Sequence, residues 1–344
     1  MTRTFILVAL LAALPGRAWA QTEPPPDATL DVFKVQGNVW LIAGAGGNIA
    51  VQAGEQGVVV VDTGATGLSD KVIAAIRGIS TKPIRYIINT SMAPQHVGGN
   101  ATLATLPGGS VTGATRGATP AVLAQENILN RMTQTGADGK SLFPSGAWPT
   151  DGYFAPRRGF IFNGEAIDVV HLPKAYSDGD SAVYFRGSNV LVTGDVYTTT
   201  NLPFVNRALG GSYAGVIAGL NVLLDITVPD DLMEAGTYVI PGHGRVSDEA
   251  DLVEYRDMAV MIGDRIQKLV NEGKTLAQVK AARPVIGWEG RYSQPGWTTE
   301  NFIDAIYPEF TAAPGPRRGT PPATGRGAPP AGRGAAPAGR GGAR

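Results

Sequence analysis

The order of apolar runs along the chain is the feature that most restricts its fold. Short apolar runs typical of β-strands come first and are followed by helical and strand-like segments. After a stretch rich in Gly, Pro, Ser and Thr over 133–157, the same order begins again. Each half therefore contains strands and helices that must cover one another. We predict a single α/β (α+β) domain over 31–310, with two mixed sheets packed face to face and helices outside, a four-layer αββα sandwich.

The positions of these elements follow from apolar spacing and turn residues. In the first half we predict strands at 39–42, 48–51, 58–61 and 84–88, and helices at 68–79 and 118–132. In the second half we predict strands at 159–162, 166–172, 182–185, 190–193 and 237–240, and helices at 213–225, 247–271, 275–282 and 298–307. The run at 58–61 is continuously apolar, as expected of a strand that is buried on both faces.

The N-terminus has the pattern of a secretory signal peptide. Arg3 precedes a ten-residue apolar run over 5–14, and Ala18-Trp19-Ala20 forms a small-x-small cleavage site. The run is too short to span a bilayer stably. We therefore predict a signal peptide over 1–20, cleaved after Ala20, a linker over 21–30, and a periplasmic or secreted mature protein.

The C-terminal segment over 311–344 has a different composition from the rest of the chain. It carries six Arg and no acidic residue, and Gly-Arg-Gly recurs among Ala and Pro. This composition predicts a disordered tail that contacts an anionic envelope surface. The first 20 residues carry two more Arg and no acidic residue. Because the formal charge of the full chain is zero, residues 21–310 have eight more acidic than basic residues. An acidic body argues against a nucleic-acid partner.

The chain contains three histidines and no cysteine. Disulfides, thiol nucleophiles and iron–sulfur clusters are therefore impossible. His171 lies on the face of a predicted strand that also carries Ile167 and Val169, which favours a structural role. His96 and His243 follow predicted strands instead, in short Gly-containing loops, and Asp195 follows a third strand. Imidazole and carboxylate groups on such loops are well placed to converge on a metal ion, so we predict a site formed by His96, Asp195 and His243.

The residues around these positions resemble the motifs of the metallo-β-lactamase superfamily, over about residues 31–270. Its leading motif is Thr-His-x-His-x-Asp-His-x-Gly-Gly-Asn, and the positions that match it here are Thr90, His96, Gly98, Gly99 and Asn100. By this resemblance, Asp195 is the bridging carboxylate, His243 is the last ligand, and Asp62 is the structural Asp at the base of the loop. The resemblance implies the αββα metallo-β-lactamase sandwich, which usually binds two metal ions, mostly zinc.

The departures from the motif affect the first of those two metal sites. Ser91 and Ala93 stand where its first two His ligands belong, and Tyr176 stands where the third is expected. Gln95 replaces the Asp ligand of the second site. Ala has no donor atom, a neutral Ser hydroxyl is a poor zinc ligand, and Tyr176 could ligate only as a phenolate, whose formation needs a pKa well below about 10. The first site is therefore predicted to be absent.

Two His and one carboxylate are enough for a single zinc ion with an open water position, and iron or manganese remain open as alternatives. The first hypothesis is an exported hydrolase-like protein that is either a weak single-metal hydrolase or a pseudoenzyme without metal. In the active case Gln95 and Tyr176 would hold the scissile group of an unknown small-molecule substrate. The alternatives are a non-catalytic ligand-binding module tethered to the envelope by its Arg-rich tail, and a non-haem iron oxidoreductase.

Overall fold

A computed structural model describes residues 28–109, 119–136 and 139–312. The predicted signal peptide over 1–20 lies outside the described residues, as do 21–27 of the predicted linker and 313–344 of the predicted tail. Among the helices of the described ranges, none is both long enough and apolar enough to cross a bilayer.

The first sheet has seven strands, which follow one another in chain order. They are β1 (Asp31–Gln36), β2 (Val39–Ala43), β3 (Ile49–Gly54), β4 (Gly57–Val61), β5 (Ile84–Ile88), β6 (Ala121–Gln125) and β7 (Asp151–Tyr153). The strands β1 to β4 pair antiparallel, and β4 to β7 pair parallel. Every residue of β4 is buried, as the continuous apolar run predicts.

The second sheet has five strands in the order β12-β11-β10-β9-β8. They are β8 (Arg157–Phe162), β9 (Glu165–His171), β10 (Ser181–Phe185), β11 (Val190–Val192) and β12 (Tyr238–Ile240). The pairs from β8 to β11 are antiparallel, whereas β11 and β12 are parallel. The carboxyl ends of β11 and β12 therefore lie side by side at one edge of the sandwich.

The helices are divided between the two sheets. The first half carries α1 (Ser69–Ile79), α2 (Pro94–Val97), α3 (Asn100–Leu103) and α4 (Glu126–Met132). The second half carries α5 (Tyr213–Ile226), α6 (Glu249–Asn271), α7 (Leu276–Ala281), α8 (Glu289–Tyr292) and α9 (Thr299–Thr311). Asp248 caps α6 by accepting a hydrogen bond from Asp251 N, and two acidic residues lie in its first turn, where they complement the helix dipole.

Apolar side chains form three layers between these elements. The layer between the sheets joins residues such as Leu41 and Val59 to Ile167 and Val183 of the second sheet. A second layer lies under α1, and a third lies under α5, α6 and α9. Helices therefore cover the outer faces of both sheets, which confirms the αββα sandwich.

One predicted element is wrong in its first half. The helix predicted over 118–132 is the strand β6 over Ala121–Gln125, followed by α4 over Glu126–Met132. All five residues of β6 are buried, and β6 pairs parallel with both β5 and β7. A short apolar run has the same hydropathy pattern in a buried helix and in a central strand, so only its sheet neighbours distinguish the two.

Candidate metal centre

Three segments bring the predicted ligands to one edge of the sandwich. His96 lies on α2, which follows β5; Asp195 lies on a 3₁₀ turn after β11; and His243 follows β12. One ligand atom from each residue lies within 4.8 Å of the other two. Ligands that lie about 2.0–2.2 Å from one zinc ion are at most about 4.4 Å apart, so a shared ion needs this grouping to close by no more than a few tenths of an ångström.

Asp195 is the central residue of this group. Its Oδ1 lies 3.0 Å from His96 Nε2 and 3.1 Å from His243 Nε2. The two imidazole rings are nearly perpendicular, with centroids 5.6 Å apart. The side chains of His96 and Asp195 are fully buried, whereas that of His243 is 16% exposed. The His243 ring is therefore the least buried side chain of the three.

Asp62 fixes the His96 ring from the opposite side. Its Oδ2 accepts a hydrogen bond from His96 Nδ1 at 2.7 Å, and Thr90 donates to the same carboxylate through its N–H at 2.8 Å and its hydroxyl at 2.6 Å. Asp62 has a left-handed backbone with φ of 63°, which Asp tolerates better than most residues. With Nδ1–H donated to Asp62, Nε2 of His96 is directed at Asp195.

The buried charges stabilise one another. Burial lowers the pKa of His96, but the carboxylates of Asp195 and Asp62 outweigh it and hold this pKa well above its usual value. Burial alone would raise the pKa of Asp195, and the adjacent His96 and His243 instead hold it well below its usual range. The neighbouring carboxylates therefore favour the protonated form of His96 when no metal ion is bound.

The donor set fits one metal ion. Asp195 Oδ2 is buried, and no residue in the described ranges forms a hydrogen bond with it. His243 Nε2 is within ion-pair distance of Asp195, but it is also buried without a hydrogen bond of good geometry. Buried polar atoms normally have partners, so each such atom needs an explanation. Two imidazole nitrogens and one carboxylate form a ligand set that suits zinc and leaves a coordination position open.

The residues that stand where the family has further ligands offer no imidazole. Ser91, Ala93 and Gln95 precede or belong to α2, and Tyr176 lies in the loop over 173–180. Ser91 is buried, and its hydroxyl accepts a hydrogen bond from Ala93 N at 3.1 Å. Ala93 and Gln95 are also buried. Tyr176 is partly buried, and the side chain of Asn206 lies near its hydroxyl. Burial raises the pKa of Tyr176 above its usual value, so Tyr176 is a neutral phenol rather than a phenolate ligand.

His171, the third histidine, does not belong to this group. Its Nε2 lies 2.9 Å from the carbonyl oxygen of Asp178, in the loop that carries Tyr176. The Asp178 carboxylate forms a bidentate pair with Arg131, at 2.8 and 2.6 Å. His171 and Arg131 thus hold the loop next to the site, as the structural role predicted for His171 requires.

Two residues that sequence reasoning missed hold the loop of His243. Asn48 donates hydrogen bonds to the carbonyl groups of residues 241 and 244, and Thr198 donates its hydroxyl to His243 O at 3.2 Å. Next to them, the Phe204 ring meets His243 edge-on, with centroids 6.0 Å apart. The only signal for Asn48 in the sequence is its place after Gly46-Gly47 at the start of a strand.

A family comparison agrees with this arrangement. The family model described as the metallo-beta-lactamase superfamily matches residues 33–287. The chain belongs to this superfamily. The predicted family and fold are confirmed, and the superfamily explains why acidic and imidazole side chains gather at the ends of the strands.

Individual relatives include a linear primary-alkylsulfatase from Pseudomonas sp. (strain ATCC 19151), which is 24% identical over 298 residues, or 73% of this chain and 53% of the relative. Among solved structures, the stereoselective inverting sec-alkylsulfatase Pisa1 from Pseudomonas sp. has a TM-score of 0.60 at 16% identity, covering 82% of this chain and 50% of Pisa1. A metallo-beta-lactamase from Pontibacter korlensis has a TM-score of 0.51 at 16% identity, covering 67% of this chain and 99% of the lactamase. This chain therefore spans about half the length of the alkylsulfatases, and the structural likeness concerns the fold.

Proposed function

We propose that the protein is a hydrolase that uses one metal ion bound by His96, Asp195 and His243. The convergence of the three ligand atoms within 4.8 Å carries this proposal. The buried Asp195 Oδ2, which has no hydrogen-bond partner in the described ranges, supports it, because coordination would satisfy that atom. The proposed ion is zinc, with iron and manganese as the alternatives to be measured.

His96, Asp195 and His243 would hold the ion, which when bound would lower the pKa of a water molecule. The residues of the chain hold that centre and the substrate. Asp62 accepts a hydrogen bond from His96 Nδ1, so His96 would coordinate through Nε2 and release the proton of that nitrogen when the ion binds. Tyr176 is a neutral phenol, and we propose that its O–H donates to the oxygen on which negative charge develops. Gln95 is proposed to bind the scissile group through its amide.

The proposed substrates are esters, and sulfate esters are the class to test first. This choice is supported by the name of the alkylsulfatase that is 24% identical to the chain. Since the chain corresponds to 53% of that relative, its substrate is a proposal and not a property transferred with the fold. Carboxylic esters, thioesters, lactams and phosphodiesters form the comparison panel.

We also propose that the mature protein acts outside the cytoplasm and touches the anionic envelope surface through its tail. The proposal rests on the apolar run over 5–14, the small-x-small site before Gln21, and the six arginines over 311–344. N-terminal sequencing of the mature protein tests the cleavage site. A mature protein that still begins at Met1 would contradict the proposed cleavage.

Metal content tests the catalytic proposal directly. The purified full chain is stripped with a chelator, reconstituted with zinc at neutral pH, and measured by mass spectrometry of the bound elements. We expect about one zinc per chain, lost in His96→Gln and in His243→Gln. The matched control is His171→Gln, which changes the one histidine outside the group and should keep the ion. Hydrolysis of the ester panel should require the ion and fail in the same two variants.

The second candidate is a non-catalytic ligand-binding module. The observation that favours it is that His96 is already paired on both ring nitrogens, with Asp62 at 2.7 Å and Asp195 at 3.0 Å. A protein that takes up no zinc, iron or manganese after reconstitution supports this candidate and overturns the metal-dependent hydrolase.

A further inference from the structure

Asn48 joins the first sheet to the loop that carries His243. It immediately precedes β3 and is buried. Its backbone N–H donates to Gly242 O at 2.8 Å. Its side-chain Nδ2 donates to Pro241 O and to Gly244 O, both at 2.9 Å. These three hydrogen bonds reach the residues on both sides of His243, so the backbone that carries the imidazole cannot shift without breaking them.

The segment that follows β11 and its 3₁₀ turn also holds this loop. The hydroxyl of Thr198 and the backbone N–H of Thr199 donate to His243 O, at 3.2 and 3.1 Å. A Cβ on Gly242 would lie 2.6 Å from the backbone of Gly194, the residue before Asp195. Asn48 and the Thr198 segment therefore fix the His243 backbone between the two sheets and against the segment of Asp195.

The residue before Asn48 contacts the other imidazole. A Cβ on Gly47 would lie 2.7 Å from His96 Cε1, so the backbone of residue 47 packs directly on that ring. The segment 47–48 consequently contacts the His96 ring and bonds to the His243 loop. The relative position of the two imidazoles depends on this segment.

We propose that Asn48 is a positioning residue that sets the orientation of the His243 imidazole toward Asp195. A side-chain amide has two N–H groups on one nitrogen, which lets it donate to two carbonyl groups at once. Aspartate has the same shape but no donor, and its charge would face two carbonyl oxygens. The consequence for metal affinity rests on the proposed function, whereas the orientation of the ring does not.

The test compares Asn48→Asp with Asn163→Asp. Asn163 is the matched control because its Nδ2 also donates to two oxygens, Gln52 Oε1 at 2.9 Å and Gly57 O at 3.0 Å, near the opposite end of β3. Ring ¹⁵N chemical shifts of the metal-free protein are recorded at fixed pH, and the His243 signals are identified by their loss in His243→Gln. Zinc affinity is measured by competition with a chelator, and thermal unfolding of each variant reports its fold.

We expect the Asn48→Asp variant to have altered His243 ring shifts and a zinc dissociation constant raised about 10–100-fold, while Asn163→Asp changes neither. Wild-type shifts and affinity in Asn48→Asp, or equal changes in Asn163→Asp, would overturn the proposal. Asn48→Ala, which removes the donors without adding a charge, provides the same comparison if the aspartate variant does not fold. If the wild type binds no metal, the proposed function fails, and the ring shifts of the metal-free protein still decide the role of Asn48.

Discussion

Asp62 is a buried carboxylate that accepts three hydrogen bonds, one from His96 and two from Thr90. Its left-handed backbone is a conformation that Asn and Asp tolerate better than other residues with a side chain. The Asp62→Asn substitution therefore tests the charge and the acceptor atoms without changing the backbone. The Asn oxygen can still accept from Thr90 N, but its NH₂ group cannot accept from His96 or from the Thr90 hydroxyl.

We expect Asp62→Asn to lower the free energy of unfolding by about 1–3 kcal/mol, because buried donors lose their acceptors. The same change should weaken zinc binding by about 10–100-fold, since the partner that orients His96 is lost. Urea unfolding with a chelator present, and zinc competition, measure the two effects. The exposed Asp257→Asn is the control, and it should stay within about 0.5 kcal/mol of the wild type. Wild-type stability and affinity in Asp62→Asn would contradict the role given to Asp62.

Asp180 is a buried carboxylate with no cationic partner in the described ranges. We expect its protonation to make the stability of the folded protein depend on pH. Its carboxylate accepts from Ser177 N at 2.5 Å and from the Ser177 hydroxyl at 2.8 Å. Burial raises the pKa of Asp180 well above its usual value; the bonds from Ser177 oppose the shift, and the charges of Asp195 and Asp178 add to it. Because the folded state holds this proton more tightly than the unfolded chain, the contribution of Asp180 to stability falls as pH rises from about 4 through the folded-state pKa.

The Asp180→Asn variant should not lose this part of its stability as the pH rises. The amide can accept from Ser177 N and donate to the Ser177 hydroxyl, so the loop geometry is retained. We expect the stability of Asp180→Asn relative to the wild type to increase with pH above about 4 and to level off above the folded-state pKa of Asp180. The total increase should be about 1.4 kcal/mol for each unit by which folding raises that pKa. Urea unfolding over a range of pH values measures it. A difference that is independent of pH would show that Asp180 has an ordinary pKa in the folded protein.

At the scale of secondary-structure elements, an ion pair between Arg131 and Asp178 connects α4 to the loop over 173–180. Arg131 on α4 holds the loop through Asp178, and this loop carries Tyr176, whose pKa is raised by burial and by the Asp195 carboxylate. We expect Arg131→Ala to increase backbone hydrogen exchange over 173–180, because loss of the pair removes an anchor of the loop. The effect on the free energy of unfolding should be about 1 kcal/mol, since the pair is partly exposed.

Arg158→Ala is a closely matched control. Arg158 forms a bidentate pair with Asp151 at the same two distances, 2.8 and 2.6 Å, between β8 and β7. Hydrogen exchange measured by mass spectrometry should show no change over 173–180 in this variant. Equal exchange of that loop in both variants would mean that the Arg131–Asp178 pair does not hold it.

The sequence predicts where helices and strands lie better than it predicts which of them pack or pair with one another. The parallel pairing of β11 and β12 places Asp195 and His243 side by side, and the Gly-rich loops after both strands indicate this edge in advance. The strand β6 was missed because its burial comes from β5 and β7, which lie far from it in the sequence. Asn48 was missed for the same reason, since its side chain bonds to residues 193 and 196 positions away. Long-range partners leave no local pattern in a single sequence.

At the scale of the whole molecule, the two sheets are joined by polar contacts at both ends of β3. Asn48 makes the contact at the end near the candidate metal centre. At the other end, Glu165 of β9 accepts hydrogen bonds from Gln52 Nε2 at 2.8 Å, from Ser188 N at 2.8 Å and from the Ser188 hydroxyl at 3.0 Å. Glu165 is 8% exposed, so these donors have little access to water. We therefore expect substitutions of Glu165 to change stability and substitutions of Asn48 to change metal binding.

We expect Glu165→Ala to lower the free energy of unfolding by about 2–4 kcal/mol, because it leaves buried donors on both sheets without their acceptor. Glu165→Gln keeps one acceptor oxygen and should lose less. Neither variant should change the zinc stoichiometry or affinity, because the candidate ligands lie at the opposite end of β3. Urea unfolding with a chelator present and zinc competition on the same samples measure both quantities. If folded Glu165→Ala loses zinc while Asn48→Asp keeps it, the centre is held by the packing of the whole sandwich, and the local role of Asn48 is refuted.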